Sequence, residues 1–275
     1  MPHAALTIMT NFSQHAALTA ALVFFGFGGA VPLPAQDGRK LDCIAHIALR
    51  VSDVAKSRVF YRTLGWDQAF EFGDDKGTDT SYVKVSDHQY IELCRRNRAS
   101  DPIGFMHICL ETIDLDRLSA AYTALGLTPT ESKKGHAGNI LFNLRDPEGQ
   151  VIEYTQYLPG SLHTNARGKF VNEARISDHM INVVMTAKDV DTEKAFFIGK
   201  LGFSGSGYVL SLPGTPGETV ELKPRVAGET PEIRFAADPK RAAAELKRRG
   251  LEVKIAGGVT EVRDPDGTAI DFSER

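Results

Sequence analysis

The chain repeats itself at an offset of 61 residues, and the repeat carries chemistry as well as punctuation. His46 lies in the run CIAHIALRV and His107 in GFMHICL, while Glu92 lies in YIELC and Glu153 in QVIEY. Within each copy the His and the Glu are 46 residues apart, and the second pair follows the first by 61. The same offset carries Asp53 to Asp114 and Leu64-Gly65 to Leu125-Gly126, a helix start and a helix stop. A duplication that preserves all of these features restricts the chain to folds in which two similar units pack side by side.

The pattern within each copy predicts a βαβββ module. CIAHIALRV alternates like a strand, Ser52-Asp53 caps a helix with Val54, Phe60, Tyr61 and Leu64 at helical spacing, and Gly65 ends it. Strands are expected at Asp67–Phe72, Ser81–Val85 and Gln89–Cys94, with turns such as GDDKG between them. The second copy reads as strand Phe105–Glu111, helix Asp114–Leu125, and strands Asn139–Leu144 and Gln150–Gln156 joined by the DPEG turn. Two such modules make one half-open, eight-stranded barrel over residues 41–157. Residues 158–175, with Pro159, Gly160 and Gly168 and little periodicity, read as a linker. The pattern then restarts in eroded form over 176–275: HMINVVMTAKDVDTEKAFFIGKLGF echoes the first module, and VRDPDGTAIDF repeats LRDPEGQVIEY. The fold class is therefore α+β, with four βαβββ modules paired into two half-open barrels.

A single His in a strand is ordinarily a hydrogen-bonded core or rim residue, and a single Glu near a strand end is ordinarily at the surface. Four ligand-type residues at matched offsets point instead to one metal ion held by His46, Glu92, His107 and Glu153. Alternate side chains share a strand face, so polar residues flanked by Ile and Leu describe a strand lining a polar cavity. Two imidazoles with two carboxylates suit Zn²⁺, Ni²⁺, Fe²⁺, Co²⁺ or Mn²⁺. In the second half, Asn182 aligns with His46 and Pro231 falls near the His107 position, while Glu221 and Asp271 remain. That half reads as a metal-free scaffold, lid or dimer-like partner for the first.

H-x-x-L-R-V-x-D-x-x-x-S-x-x-F-Y-x-x-L-G over His46–Gly65, and DP-x-G-x-x-I-E-Y over Asp146–Tyr154, resemble the opening and closing signatures of the vicinal oxygen chelate superfamily. That superfamily includes glyoxalase I, extradiol dioxygenases and the bleomycin-resistance proteins. The resemblance covers 41–157 well and 176–275 weakly. It implies a small-molecule substrate with vicinal oxygens. Glu at position 92 matches the four-ligand, glyoxalase I-like pattern, a lyase or isomerase working through an enediolate with Glu153 or Glu92 shuttling the proton. The resemblance further implies that Arg50, and Glu111 at the equivalent position, contact substrate. Two departures stand against glyoxalase I: the asparagine after Glu92 is displaced by one, in Glu92-Leu93-Cys94-Arg95-Arg96-Asn97, and no basic residue precedes His107 around Asp101–Met106. An extradiol Fe(II) or Mn(II) dioxygenase using His46, His107 and Glu153 is the alternative, and a small-molecule (antibiotic) binding protein a third reading.

Composition excludes other classes. The net charge of -3, from 32 basic and 35 acidic residues spread along the chain, gives no footprint for nucleic acid. Three cysteines without a CxxC pair make neither a disulfide framework nor a thiolate knuckle. His15–Ala35 is apolar, rich in small residues and broken by two prolines, which reads as a signal peptide over residues 1–35 with the mature chain starting near Gln36. Its apolar stretch falls short of the roughly 20 residues of a membrane span. Against an export leader, no Lys or Arg precedes Arg39. The expectation is an exported protein, periplasmic or extracellular, with no integral membrane domain once mature and compatible with a homodimer.

Overall fold

The computed structural model describes residues 36–275 apart from Lys76; the leader read over residues 1–35 lies outside the described residues. The first module is β1 (Cys43–Val51), α1 (Val54–Thr63), β2 (Gln68–Asp74), β3 (Gly77–Lys84) and β4 (Tyr90–Arg95). The second is β5 (Gly104–Glu111), α2 (Leu115–Ala124), β6 (Lys133–Lys134), β7 (Ile140–Arg145) and β8 (Val151–Gln156). Their eight strands form one half-barrel in the order β2-β3-β4-β1-β5-β8-β7-β6.

Local chemistry sets the helix ends. The Asp53 carboxylate accepts from Lys56 N and that of Asp114 from Arg117 N, satisfying amides that a first helical turn leaves orphaned. Gly65 closes α1 at φ +87°, and a Cβ there would lie 2.4 Å from Arg175 Cα, so both conformation and space demand glycine.

β1 and β5 run antiparallel at the centre of the sheet, with Ile47 opposite Ile108. These two residues are themselves 61 apart, so the sequence repeat becomes a rotation about an axis passing between them. On the outer face, Ile44, Ile47, Leu49, Ile108 and Leu110 pack against Tyr61, Leu64 and Leu118 of the helices. Full burial of each such side chain is worth about 1.5–3 kcal/mol.

The second half comprises β9 (Met180–Ala187), α4 (Val190–Phe196), β10 (Val209–Leu212), β11 (Thr215–Pro224), β12 (Glu232–Ala236), α5 (Pro239–Arg248), β13 (Lys254–Ala256), β14 (Val259–Arg263) and β15 (Ala269–Ser273). Its sheet has seven strands, β10-β11-β9-β12-β15-β14-β13, one fewer than expected. The missing strand would be the counterpart of β2. There the sequence Phe203-Ser204-Gly205-Ser206-Gly207-Tyr208 holds two glycines and two serines, poor strand formers, and only an isolated Ser204–Ser211 bridge forms. Both sheets share one apolar core, in which Trp66 lies 4.4 Å from Phe235.

The stretch 158–175 is not a free connection. It forms the short helix α3 (Leu162–Asn165) and buries Ser161, His163 and Ala166. The buried Lys84 ammonium anchors it by donating to Ala166 O and Lys169 O while pairing with Asp87. Among the described residues no helix is long and apolar enough to cross a membrane.

Candidate metal centre

Four adjacent strands, β4-β1-β5-β8, each contribute one side chain to the concave face. The pairing places Glu92 and His107 beside Ala48, on either side of β1, and His46 and Glu153 on either side of Cys109. His46 Nε2 lies 3.1 Å from His107 Nε2, 3.0 Å from Glu92 Oε2 and 3.7 Å from Glu153 Oε1, and His107 Nε2 lies 3.6 Å from Glu92 Oε2. Donor atoms bonded at about 2.0–2.2 Å to one ion are spaced roughly 3.0–3.5 Å from each other. Two imidazole nitrogens aimed at each other between carboxylates are also the arrangement that a shared cation would stabilise. The donor set suits a divalent metal: donor atoms of His46, Glu92 and His107 lie within 4.8 Å of one another, and Glu153 groups with His46 and Cys109 beside them.

The electrostatics are those of a dry anionic pocket. Burial opposes ionisation of Glu92, yet the hydrogen bond and charge of His46, then the charge of His107, win and hold it down at about 2. His46 is buried, which alone would keep it neutral, but Glu92 and Glu153 raise it above the ordinary imidazole value. Burial dominates at His107 and lowers it.

The ligand face opens into a cavity of about 370 Å³ lined by Tyr82, His136, Asn139 and Asn143 together with Glu92, His107 and Glu153. Arg50 and Glu111 are not among its lining residues. The Arg50 guanidinium donates to Pro102 O, whereas Glu111 is buried and paired with His88. Both lie three residues beyond the axis on antiparallel strands, which carries them to opposite ends of the sheet, roughly 20 Å apart at strand rise. Only residues near the axis can meet.

Two cavity residues belong to the repeat but were not singled out from it. Tyr82 pairs directly opposite Glu92, and Asn143 directly opposite Glu153. The tight turns Val85–Gln89 and Asp146–Gln150 fix those registers, so counting back from each Glu would have found them. Burial and then the Glu92 charge raise the Tyr82 hydroxyl, and burial and then the Glu153 charge raise the Cys109 thiol. His163 has no such signal. Its ring stacks on Tyr157 at 4.0 Å, edges against Phe70 and Tyr90, and is pushed down to about 3 by burial, then by the nearby His46 charge.

In the second sheet, Asn182 takes the register position of His46 and Glu221 that of Glu92, and Asp271 that of Glu153. The counterpart of His107 is Glu232 rather than Pro231: it precedes Arg234 by two residues, as His107 precedes Cys109, and Arg234 pairs with Asp271 as Cys109 pairs with Glu153. The one-residue difference lies in the connection to the following helix, beyond the reach of alignment on the helix cap. Arg234 contacts Glu232, Asp271 and Glu221 at 2.9, 3.7 and 3.9 Å, and Lys223 lies 2.7 Å from Glu232. Side-chain cations thus fill the place that corresponds to the first sheet's ligand cluster.

Residues 43–154 match the profile of the Glyoxalase/Bleomycin resistance protein/Dioxygenase superfamily. Residues 43–154 are a domain of that superfamily, a vicinal oxygen chelate fold. Among solved structures, the 2,3-dioxygenase LapB from Pseudomonas sp. KL28 is similar at 18% identity and a TM-score of 0.66, over 86% of this chain and 93% of that one. The Mn(II)-bound glyoxalase from Novosphingobium aromaticivorans is similar at 19% identity and a TM-score of 0.63, over 85% and 82%. A catechol 2,3-dioxygenase shares 14% identity at a TM-score of 0.65, over 86% and 88%. Identities this low establish the shared fold. No curated protein matches the sequence significantly.

Proposed function

We propose that the protein is a divalent-metal-dependent enzyme of the glyoxalase I type, a lyase or isomerase acting on a small substrate with vicinal oxygens. The observation that carries this reading is the fourth donor: Glu92 reaches both imidazoles, giving the His46, Glu92, His107 and Glu153 quartet rather than an open triad. When bound, one Zn²⁺, Ni²⁺, Fe²⁺, Co²⁺ or Mn²⁺ polarises the substrate oxygens.

The chain's own residues do the rest. Glu153 faces the cavity and can take a proton from the carbon beside a carbonyl and return it to the neighbouring carbon. The Asn143 amide beside it can orient the oxygen between those carbons. Tyr82, directly opposite Glu92 in the strand pairing, helps keep it ionised. Lys133, Lys134 and His136 on the cavity wall suit an anionic end of the substrate. Phe70 stacks on Tyr82 at 4.7 Å and His163 edges against it at 5.5 Å, backing that wall of the cavity with aromatic rings.

An extradiol dioxygenase is the second reading, favoured by 2,3-dioxygenase structures that follow this fold across both halves of the chain. It would use His46, His107 and Glu153 and leave Glu92 outside the coordination. Metal analysis of the purified protein tests both. His107→Ala must lose metal; full stoichiometry in that variant sinks the metal site itself. Glu92→Gln separates the two chemistries. Weakened binding, with wild-type turnover of thiol adducts of 2-oxoaldehydes, supports the isomerase, whereas retained iron and O₂-dependent cleavage of catechols supports the dioxygenase.

A further inference from the structure

Three residues that play no part in the quartet gather at the start of β1. Cys43 stands directly opposite Glu111 across the β1–β5 pair, and its Sγ lies 3.4 Å from Glu111 Oε2. His88, in the turn before β4, brings Nδ1 to 2.8 Å from the same oxygen. All three candidate donor atoms lie within 4.8 Å of one another. They come from three separate parts of the chain and sit three residues along β1 from His46, roughly 10 Å away at strand rise.

We infer that Cys43, His88 and Glu111 form a second metal site, selective for a thiophilic divalent cation of the zinc type. The spacing suits it: donors on a tetrahedral zinc with bonds of about 2.0–2.3 Å stand roughly 3.4 Å apart. So does the charge. Cys43 and Glu111 are 7% and 5% exposed, and a thiolate and a carboxylate neutralise a dication within that dry setting, with His88 adding a neutral nitrogen. The setting is rich in negative charge: Glu218 of β11 bonds Ile44 N beside the site, and Asp42 Oδ2 is buried without a hydrogen-bond partner. His88 is 47% exposed, so its side of the cluster faces solvent and leaves an entry path and a fourth position for water. The sulfur ligand sets this site apart from the N/O quartet, and softer metals prefer it. Binding releases the thiol proton and ties the start of β1, the β3–β4 turn and the end of β5 together.

Cobalt(II) titration of the full, metal-stripped chain tests the site independently of the quartet, because only a thiolate ligand gives a near-ultraviolet sulfur-to-cobalt charge-transfer band. The wild type is expected to take two equivalents and to show the band. His107→Ala should keep the band, Cys109→Ala should keep it, and Cys43→Ala should abolish it while the quartet still loads. His88→Gln, at a half-exposed position that cannot unfold the chain, should weaken the band-forming step by more than about tenfold, the loss that even an outer-shell change causes. Absence of the band in the wild type, its survival in Cys43→Ala, its loss in Cys109→Ala or unchanged affinity in His88→Gln would each overturn the assignment.

Discussion

Glu92 is kept anionic by its neighbours rather than by water, and Tyr82 is the neighbour that does this without being a ligand candidate itself. A hydroxyl donated to a ligating carboxylate fixes its rotamer and leaves the other oxygen free. Tyr82→Phe should therefore weaken metal binding by about 10–100-fold, read by competition with a chelator, while the unfolding midpoint of the metal-free protein stays nearly unchanged. At this scale the sequence is legible wherever a residue type and a short turn act together. The quartet shows in its 61-residue offset, and Tyr82 and Asn143 are one hairpin count away. His163 is illegible for a physical reason: its place is set by aromatic packing with Tyr157, Phe70 and Tyr90, contacts between distant segments that leave no period in the chain.

At the scale of elements, caps and turns decided most of the boundaries, because Asp53, Asp114 and Asp189 each accept a hydrogen bond from the amide three residues on. What escaped was context. The stretch 158–175 has a linker's composition, yet Lys84 binds it from β3 and its helix covers the ligand side of the first sheet. Lys84→Met leaves the Lys169 carbonyl without its Lys84 donor and the Ala166 carbonyl with only the Lys169 amide, at a cost of about 2 kcal/mol. The expected result is a melting point lower by about 4–8 °C, with limited trypsin cleavage appearing first at Arg167 and Lys169. Equal protease resistance in the variant would show that the segment is held by other contacts.

The halves clasp each other reciprocally. The turn residue Glu148 of the first half accepts from Lys188 N and Asp189 N at the start of α4, and the equivalent Asp266 of the second accepts from Ser52 N before α1. Behind Glu148 lies Glu193, buried, with Oε2 unpartnered, and raised to about 7 by burial and then by the charge of Asp146. Asp271 is likewise raised to about 7, by burial and then by Glu232. Groups whose folded values exceed their unfolded values hold protons that the unfolded chain has released, so they favour the fold at low pH. The stability these two groups contribute declines as pH rises from about 4 to 7. Glu193→Gln should raise the melting point at pH 8 by about 3–6 °C, change little at pH 5 and flatten the decline between them. A variant as pH-sensitive as the wild type would remove Glu193 from that account. The second sheet, finally, balances its three carboxylates with Arg234 and Lys223, cations that are synthesised with the chain. Half of the molecule is thus born loaded, while the proposed centre in the other half must be provisioned from its surroundings. In a metal-poor medium the first sheet can be emptied while the second keeps its internal counter-charges, a standing frame against which the empty half can be refilled without either having to refold.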